Sequence, residues 1–138
     1  GSEGTLADEL LAPSVIYAPS VVAVLAAHEV HAVAHVTGGG LPGNLPRVLG
    51  EDVDAVLDHT AWEVTRIFRE LQDMGGVSDA EMARVFNLGV GMVLVVPPSE
   101  ADGVVATLAS GARPARVIGE LVAGTGTVAY SSAGGMGS

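Results

Sequence analysis

With 138 residues, 49% of them hydrophobic, the chain is long enough to bury one real core and fits a single domain. Its net charge of −10 opposes long-range attraction to nucleic acid or an anionic membrane surface, so neither partner is expected and any phosphate must be held locally. Zero cysteine excludes disulfides and thiolate metal sites and is compatible with a cytoplasmic setting, and the six basic residues are all arginine, which excludes a Schiff-base or Walker-type lysine.

No apolar run approaches the roughly 20 residues of a membrane span. Gly1-Ser2 reads as a cloning remnant, 3–130 as the folded unit, and Gly/Ser-rich 131–138 as a flexible tail. Ser14-Val15-Ile16-Tyr17 predicts a short strand, and Pro19 opens a helix with Val21, Val24 and Leu25 on one face. Val30–Val36 reads as a strand that three glycines, Gly38, Gly39 and Gly40, end abruptly. Glycine reaches φ > 0 without a Cβ penalty, so such a run can turn several N–H groups toward one point. Asn44 then offers a helix-cap side chain, Pro46 suits the first turn of a short helix, and Arg47 supplies a fork of donors. Between His35 and Gly50 there is no acid, in a chain with 16 Asp+Glu against 6 Lys+Arg. That absence suits an anion, and a phosphate-bearing ligand is the first expectation.

Val53–Leu57 has strand character. Thr60 is read as the N-cap of a helix to Met74 with Val64, Ile67, Phe68 and Leu71 as its apolar stripe, stopped by Gly75-Gly76. Ser78 with Glu81 is a capping-box pattern opening a short helix. Leu88–Val96 is a β-branched run interrupted by Gly89 and Gly91, and Ser99 with Asp102 predicts another helix, ended by Gly111. Arg116–Val122 and Thr127–Tyr130 predict a closing hairpin turned at Gly124-Thr125-Gly126. The expected fold is α+β, an α/β/α three-layer sandwich. Its mixed β-sheet includes Val30–Val36, Leu88–Val96 and Arg116–Val122, with helices on both faces.

The candidate site residues each have a structural reading beside the functional one. Thr37, Gly38, Gly39 and Gly40 form either a tight turn or a ligand loop. Arg47 is either a solvated charge or an anion contact, and a first-turn position would oppose the helix dipole. His35, at the strand end beside the loop, is the one histidine carried forward as an acid-base candidate. His28-Glu29-Val30-His31 lacks the H-E-x-x-H spacing, so no metal site is expected. Asn87, Gly89 and Gly91 fall where a strand should carry side chains, which marks a bulge, tight packing or close ligand approach. Trp62 and Phe68 read as core or interface residues, and the acids Glu51, Asp52, Asp54, Asp79 and Glu81 as solvated faces and caps.

Two segments and the opening Leu10-Leu11-Ala12-Pro13-Ser14-Val15-Ile16-Tyr17 carry a resemblance. The chain resembles the C-terminal domain of the phosphoribosylformylglycinamidine cyclo-ligase (aminoimidazole ribonucleotide synthetase) family. That family carries A-H-[IV]-T-G-G-G-x-x-x-N-[LI]-P-R, matched by Ala34 through Arg47, and R-x-F-N-x-G-x-G-M, matched by Arg84 through Met92. The resemblance runs in order from Glu3 to Tyr130. It implies ATP-dependent closure of formylglycinamidine ribonucleotide to aminoimidazole ribonucleotide in purine biosynthesis, with Mg²⁺, through phosphoryl activation of the formyl oxygen. It also implies an absent N-terminal domain that holds most ATP and metal contacts and the main homodimer interface. The isolated fragment is therefore expected to be inactive. On the resemblance, Thr37, Gly38, Gly39, Gly40, Asn44, Arg47, Asn87, Gly89 and Gly91 are substrate- or phosphate-binding, and His35 catalytic. Two alternatives stay open: a sibling of the formylglycinamidine ribonucleotide synthetase or selenophosphate synthetase type, and a free-standing nucleotide-binding module without enzymatic activity.

Overall fold

A computed structural model describes residues 4–111 and 114–131. Six helices, α1 (Leu6–Leu10), α2 (Ala18–Ala27), α3 (Gly40–Asn44), α4 (Arg66–Gly75), α5 (Asp79–Val85) and α6 (Ala101–Ser110), alternate with five strands among these residues. The strands are β1 (Ala32–His35), β2 (Val53–Asp58), β3 (Met92–Val95), β4 (Gly119–Ala123) and β5 (Val128–Ser131). The chain is an α+β domain with a mixed sheet.

The strands divide between two sheets instead of sharing one. β1 and β3 pair antiparallel, with Ala34 opposite Val93 and His35 opposite Met92. β2 is central in the other sheet, antiparallel to β4 and parallel to β5. The expected hairpin is therefore not one, because β2 lies between its two arms. The reason is Asp54: its carboxylate accepts the amides of Thr125 and Thr127, both at 2.8 Å, and fixes the Gly124–Thr127 crossing over the start of β2. Gly124 also donates its amide to the Asp52 carbonyl at 2.8 Å. Asp54 is thus a turn-holding residue and not a solvated acid.

One core cluster, Ala34, Val36, Leu41, Leu45, Ala55 and Leu57, joins β1, α3 and β2 and so holds the two sheets together. Burying Leu45 or Val36 stabilises the fold by about 1.5–3 kcal/mol each. Trp62 packs against this cluster, as expected of a core residue, while the half-buried Phe68 meets Phe86 outside it, 5.4 Å between ring centres and tilted by 44°. On the far side α2 packs on α6, with Val24 and Val104 buried. His28 clamps that pair, its Nδ1 lying 2.7 Å from Glu100 Oε2 and its Nε2 2.8 Å from Thr107 Oγ1.

Helix boundaries follow local chemistry, with several departures from expectation. Ser78 accepts the Glu81 amide at 3.3 Å and starts α5 as expected. Gly76, left-handed at φ 58, ends α4. Thr60 caps nothing; its amide and hydroxyl bond Asp58 Oδ1 at 2.9 and 2.6 Å, and α4 begins later, after Thr65. Ser99 lies inside a 3-10 turn, Pro98–Glu100, and α6 follows it with Glu100 at its N-cap and no side-chain cap. Ser14–Tyr17 forms no strand, since Val15 and Ile16 are exposed and no neighbouring strand pairs with them. Thr5 and Asp8 form a reciprocal capping box that starts α1, a helix absent from the sequence reading. Ser131, expected to begin the tail, is the last residue of β5. Gly1-Ser2 and the remaining tail, 132–138, lie outside the described residues.

Candidate functional site

β1 ends at His35, and the chain turns through Thr37, Gly38 and Gly39 into α3. The three glycines differ. Gly38 faces open space, and its amide meets no backbone acceptor among the described residues. Gly39 has φ 96 and donates its amide to the Val85 carbonyl at 3.2 Å. Gly40 has φ 58 and donates to Thr37 O at 3.1 Å. A Cβ at Gly40 would land on the carbonyl oxygens of Ala83 and Phe86, so glycine here lets α3 approach α5. Two of the three amides expected to converge on an anion are thus committed to the fold, and only Gly38 keeps one free.

Asn44 is also corrected. It is the last residue of α3 and stands, as expected, at the N-cap of the 3-10 turn Leu45–Arg47, but its side chain makes no cap bond there and is buried at 5% exposure. Its Nδ2 donates to the carbonyls of Gly40 at 2.8 Å, Gly38 at 3.3 Å and Thr37 at 3.4 Å. With its two amide protons facing three acceptors, Asn44 shapes the glycine turn and has no donor left for a ligand.

Arg47 is the last residue of the 3-10 turn Leu45–Arg47. It is exposed and makes no hydrogen bond or ion pair among the described residues. The other described arginines are engaged. Arg66 meets Glu9 at 3.2 Å, Arg69 meets Glu63 at 3.0 Å, Arg84 pairs with Glu81, and Arg116 donates to the Ala61 carbonyl at 3.1 Å. Arg47 is thus the described arginine left without a hydrogen bond or ion pair, and it lies in the acid-free stretch 35–50.

The second block turns back on β1. Asn87 Oδ1 accepts the Gly89 amide at 3.1 Å, and the Val90 amide bonds the Asn87 carbonyl at 2.9 Å. Leu88, at φ 50, and Gly89, at φ 98, make this a tight turn, which is why β3 starts only at Met92. Gly91 O accepts the Val36 amide at 2.9 Å, so the turn sits beside the end of β1. Gly91 has no positive φ; it is glycine for space, because a Cβ there would collide with the hydroxyl of Tyr17. The Tyr17 ring meets the His35 ring edge-on, 6.0 Å between centres at 60°. His35, Gly91 and Tyr17 therefore converge from three separate segments. Sequence reasoning missed Tyr17, although it closes the opening segment and is one of only two tyrosines.

Among the described residues no three His, Asp or Glu side chains are grouped to hold a metal ion. No helix among them is long and apolar enough to cross a membrane.

The family model described as AIR synthase related protein, C-terminal domain, matches residues 1–131. Three similar curated proteins are called phosphoribosylformylglycinamidine cyclo-ligase. The one from Bordetella petrii is 49% identical over 120 residues, 86% of this chain and 34% of that protein. Those from Paraburkholderia phymatum and Geotalea daltonii are 47% and 43% identical, covering 94% and 88% of this chain but 35% of each relative. The chain thus spans about a third of the length of these relatives. With the family model running from the first residue through the end of β5, the chain belongs to the AIR synthase related protein family as its C-terminal domain.

Proposed function

We propose that this chain is the substrate-side domain of an ATP-dependent cyclo-ligase that closes formylglycinamidine ribonucleotide to aminoimidazole ribonucleotide in purine biosynthesis. The observation that carries the reading is its identity of 43–49% with relatives named as that cyclo-ligase. The site chemistry supports it. Arg47 holds the ribose phosphate, helped by the Thr37 hydroxyl and the free Gly38 amide. His35 stands at the strand end as the acid-base group. Gly39, Gly40, Asn44, Asn87 and Gly89 set the two turns that carry these groups.

ATP and Mg²⁺ belong, on this reading, to an N-terminal domain that makes up much of the rest of the relatives. The residues described here do not fit a Mg–ATP group: no carboxylates are grouped for the metal, and the chain has no lysine for the phosphates. The reading further implies a homodimer built largely by that other domain, and a cytoplasmic enzyme.

Calorimetric titration of the 138-residue chain tests this. Formylglycinamidine ribonucleotide is expected to bind more tightly than ATP. Arg47→Ala removes a charge-assisted contact and is expected to weaken the substrate nucleotide by roughly 10- to 150-fold. Arg84→Ala, which breaks only the exposed pair with Glu81, serves as the control and leaves affinity unchanged. Equal affinity in both variants would refute the phosphate role. The chain alone is expected to form no aminoimidazole ribonucleotide from substrate and ATP, and its formation above a no-protein control would overturn the division of labour.

A further inference from the structure

We propose that Tyr17 is the positioning residue for His35, seated by Gly91, and that this contact unites the three sequence blocks at the end of β1. The inference rests on the reading of His35 as the acid-base group of a nucleotide site.

The geometry carries it in three steps. His35 is the last residue of β1 and exposed, and its side chain makes no hydrogen bond among the described residues, so no polar partner fixes its rotamer. An exposed imidazole of that kind samples several staggered wells. Its one recorded ring contact is Tyr17, edge-on at 6.0 Å and 60°, within the range where aromatic pairs attract beyond simple burial. Tyr17 is held in turn from the other side. A Cβ built on Gly91 would lie 2.8 Å from Tyr17 Cζ and 3.2 Å from Cε2, and would overlap the hydroxyl. Gly91 has ordinary backbone angles, so the missing side chain is explained by the tyrosine above it. The bond from the Val36 amide to Gly91 O, at 2.9 Å, locks that seat to the residue following His35. Seat, ring and imidazole thus lie in one continuous line of contacts.

The arrangement accounts for a glycine that phosphate binding does not explain. It also gives the opening segment, largely exposed before α2, a role at the site. Tyr17 acts through its ring; its hydroxyl marks where the seat must stay empty.

Nuclear magnetic resonance of the 138-residue chain tests the proposal through the His35 side chain. Three-bond couplings and ring-to-ring Overhauser effects report its χ1. The wild type and Tyr17→Phe are expected to show one rotamer. Tyr17→Ala, and Gly91→Ala through displacement of the ring, are expected to show averaged couplings. Affinity for formylglycinamidine ribonucleotide should fall about 2- to 13-fold in Tyr17→Ala and stay within about twofold in Tyr17→Phe. If Gly91→Ala fails to fold, the half-exposed Tyr17 substitutions still decide. An unchanged His35 rotamer in Tyr17→Ala would overturn the proposal. So would an equal loss of affinity in Tyr17→Phe, which would assign the effect to the hydroxyl. Absence of nucleotide binding in the wild type would instead defeat the functional reading, with the coupling data still deciding the positioning role.

Discussion

Three adjacent glycines, each changed to alanine, should give three different stabilities. Gly38 faces open space without a positive φ, so Gly38→Ala is expected to stay within about 0.5 kcal/mol, or to gain slightly by restricting the unfolded chain. Gly39 has φ 96 but room for a Cβ, whose nearest neighbour would be Gly43 Cα at 3.5 Å. Gly39→Ala therefore carries backbone strain alone, about 1–2 kcal/mol. Gly40→Ala carries the same strain at φ 58 and also drives a methyl into the Ala83 and Phe86 carbonyls. Overpacking adds about 1–3 kcal/mol, for a total of roughly 2–5 kcal/mol. Because α3 and α5 must separate to relieve it, the midpoint of thermal unfolding should drop by on the order of 10 °C. Urea denaturation followed by Trp62 fluorescence, with calorimetric scans, measures all three. Equal losses at the three positions, or a Gly40→Ala variant as stable as Gly38→Ala, would refute the packing argument.

Asn44→Ala removes the amide donor shared by the Thr37, Gly38 and Gly40 carbonyls, of which Thr37 O keeps the Gly40 amide, and is expected to destabilise by about 1–3 kcal/mol in the same urea assay, while Asn44→Asp, setting a carboxylate against them, should be worse. A loss below about 0.5 kcal/mol for Asn44→Ala would show the amide to be dispensable. Stability should also fall in acid. Asp54 is held below the usual carboxylate range by the Thr127 amide first and the Thr125 amide second, and Asp58 likewise by the Thr60 hydroxyl and then its amide. Lowered native values mean the unfolded chain takes up protons first. The stabilisation is therefore complete above the ordinary aspartate pKa of about 4 and is lost as pH falls through the native values. Asp54→Asn should flatten that acid limb in a pH series of unfolding midpoints; an unaltered limb would mean that the Thr125 and Thr127 contacts contribute nothing.

What the sequence shows and what it hides follows the range of the interactions. Ser78 and Gly76 act within a turn of their own helices, so α5 and the end of α4 were legible. β2 and the core of β1 were legible from their apolar runs. The false hairpin came from a local turn signal, Gly124-Thr125-Gly126, where the Thr125 amide and that of the following Thr127 are taken by Asp54, 71 and 73 positions away. At the site the loop was found but its chemistry was partly inverted. Glycines and an asparagine look alike whether their donors face a ligand or the fold, and only the Val85, Thr37 and Gly40 carbonyls decide. Tyr17 was hidden because its partners, His35 and Gly91, meet it only through the β1–β3 ladder.

The interleaving of β2 between strands that follow it much later has a consequence during synthesis. His35 must wait for Met92, and Leu57 for Gly119, before either strand has a partner. Such long-range pairing slows folding and leaves strand edges open to other chains in the meantime. In β2, Val53, Ala55, Val56 and Leu57 would form an adhesive apolar strip were it not for Asp54 and Asp58. Charges placed within an apolar strand discourage pairing with its copies. The two aspartates therefore serve as guards while the strand is naked. Once the last strands arrive, the Asp54 guard becomes the fastening that holds their crossing in place.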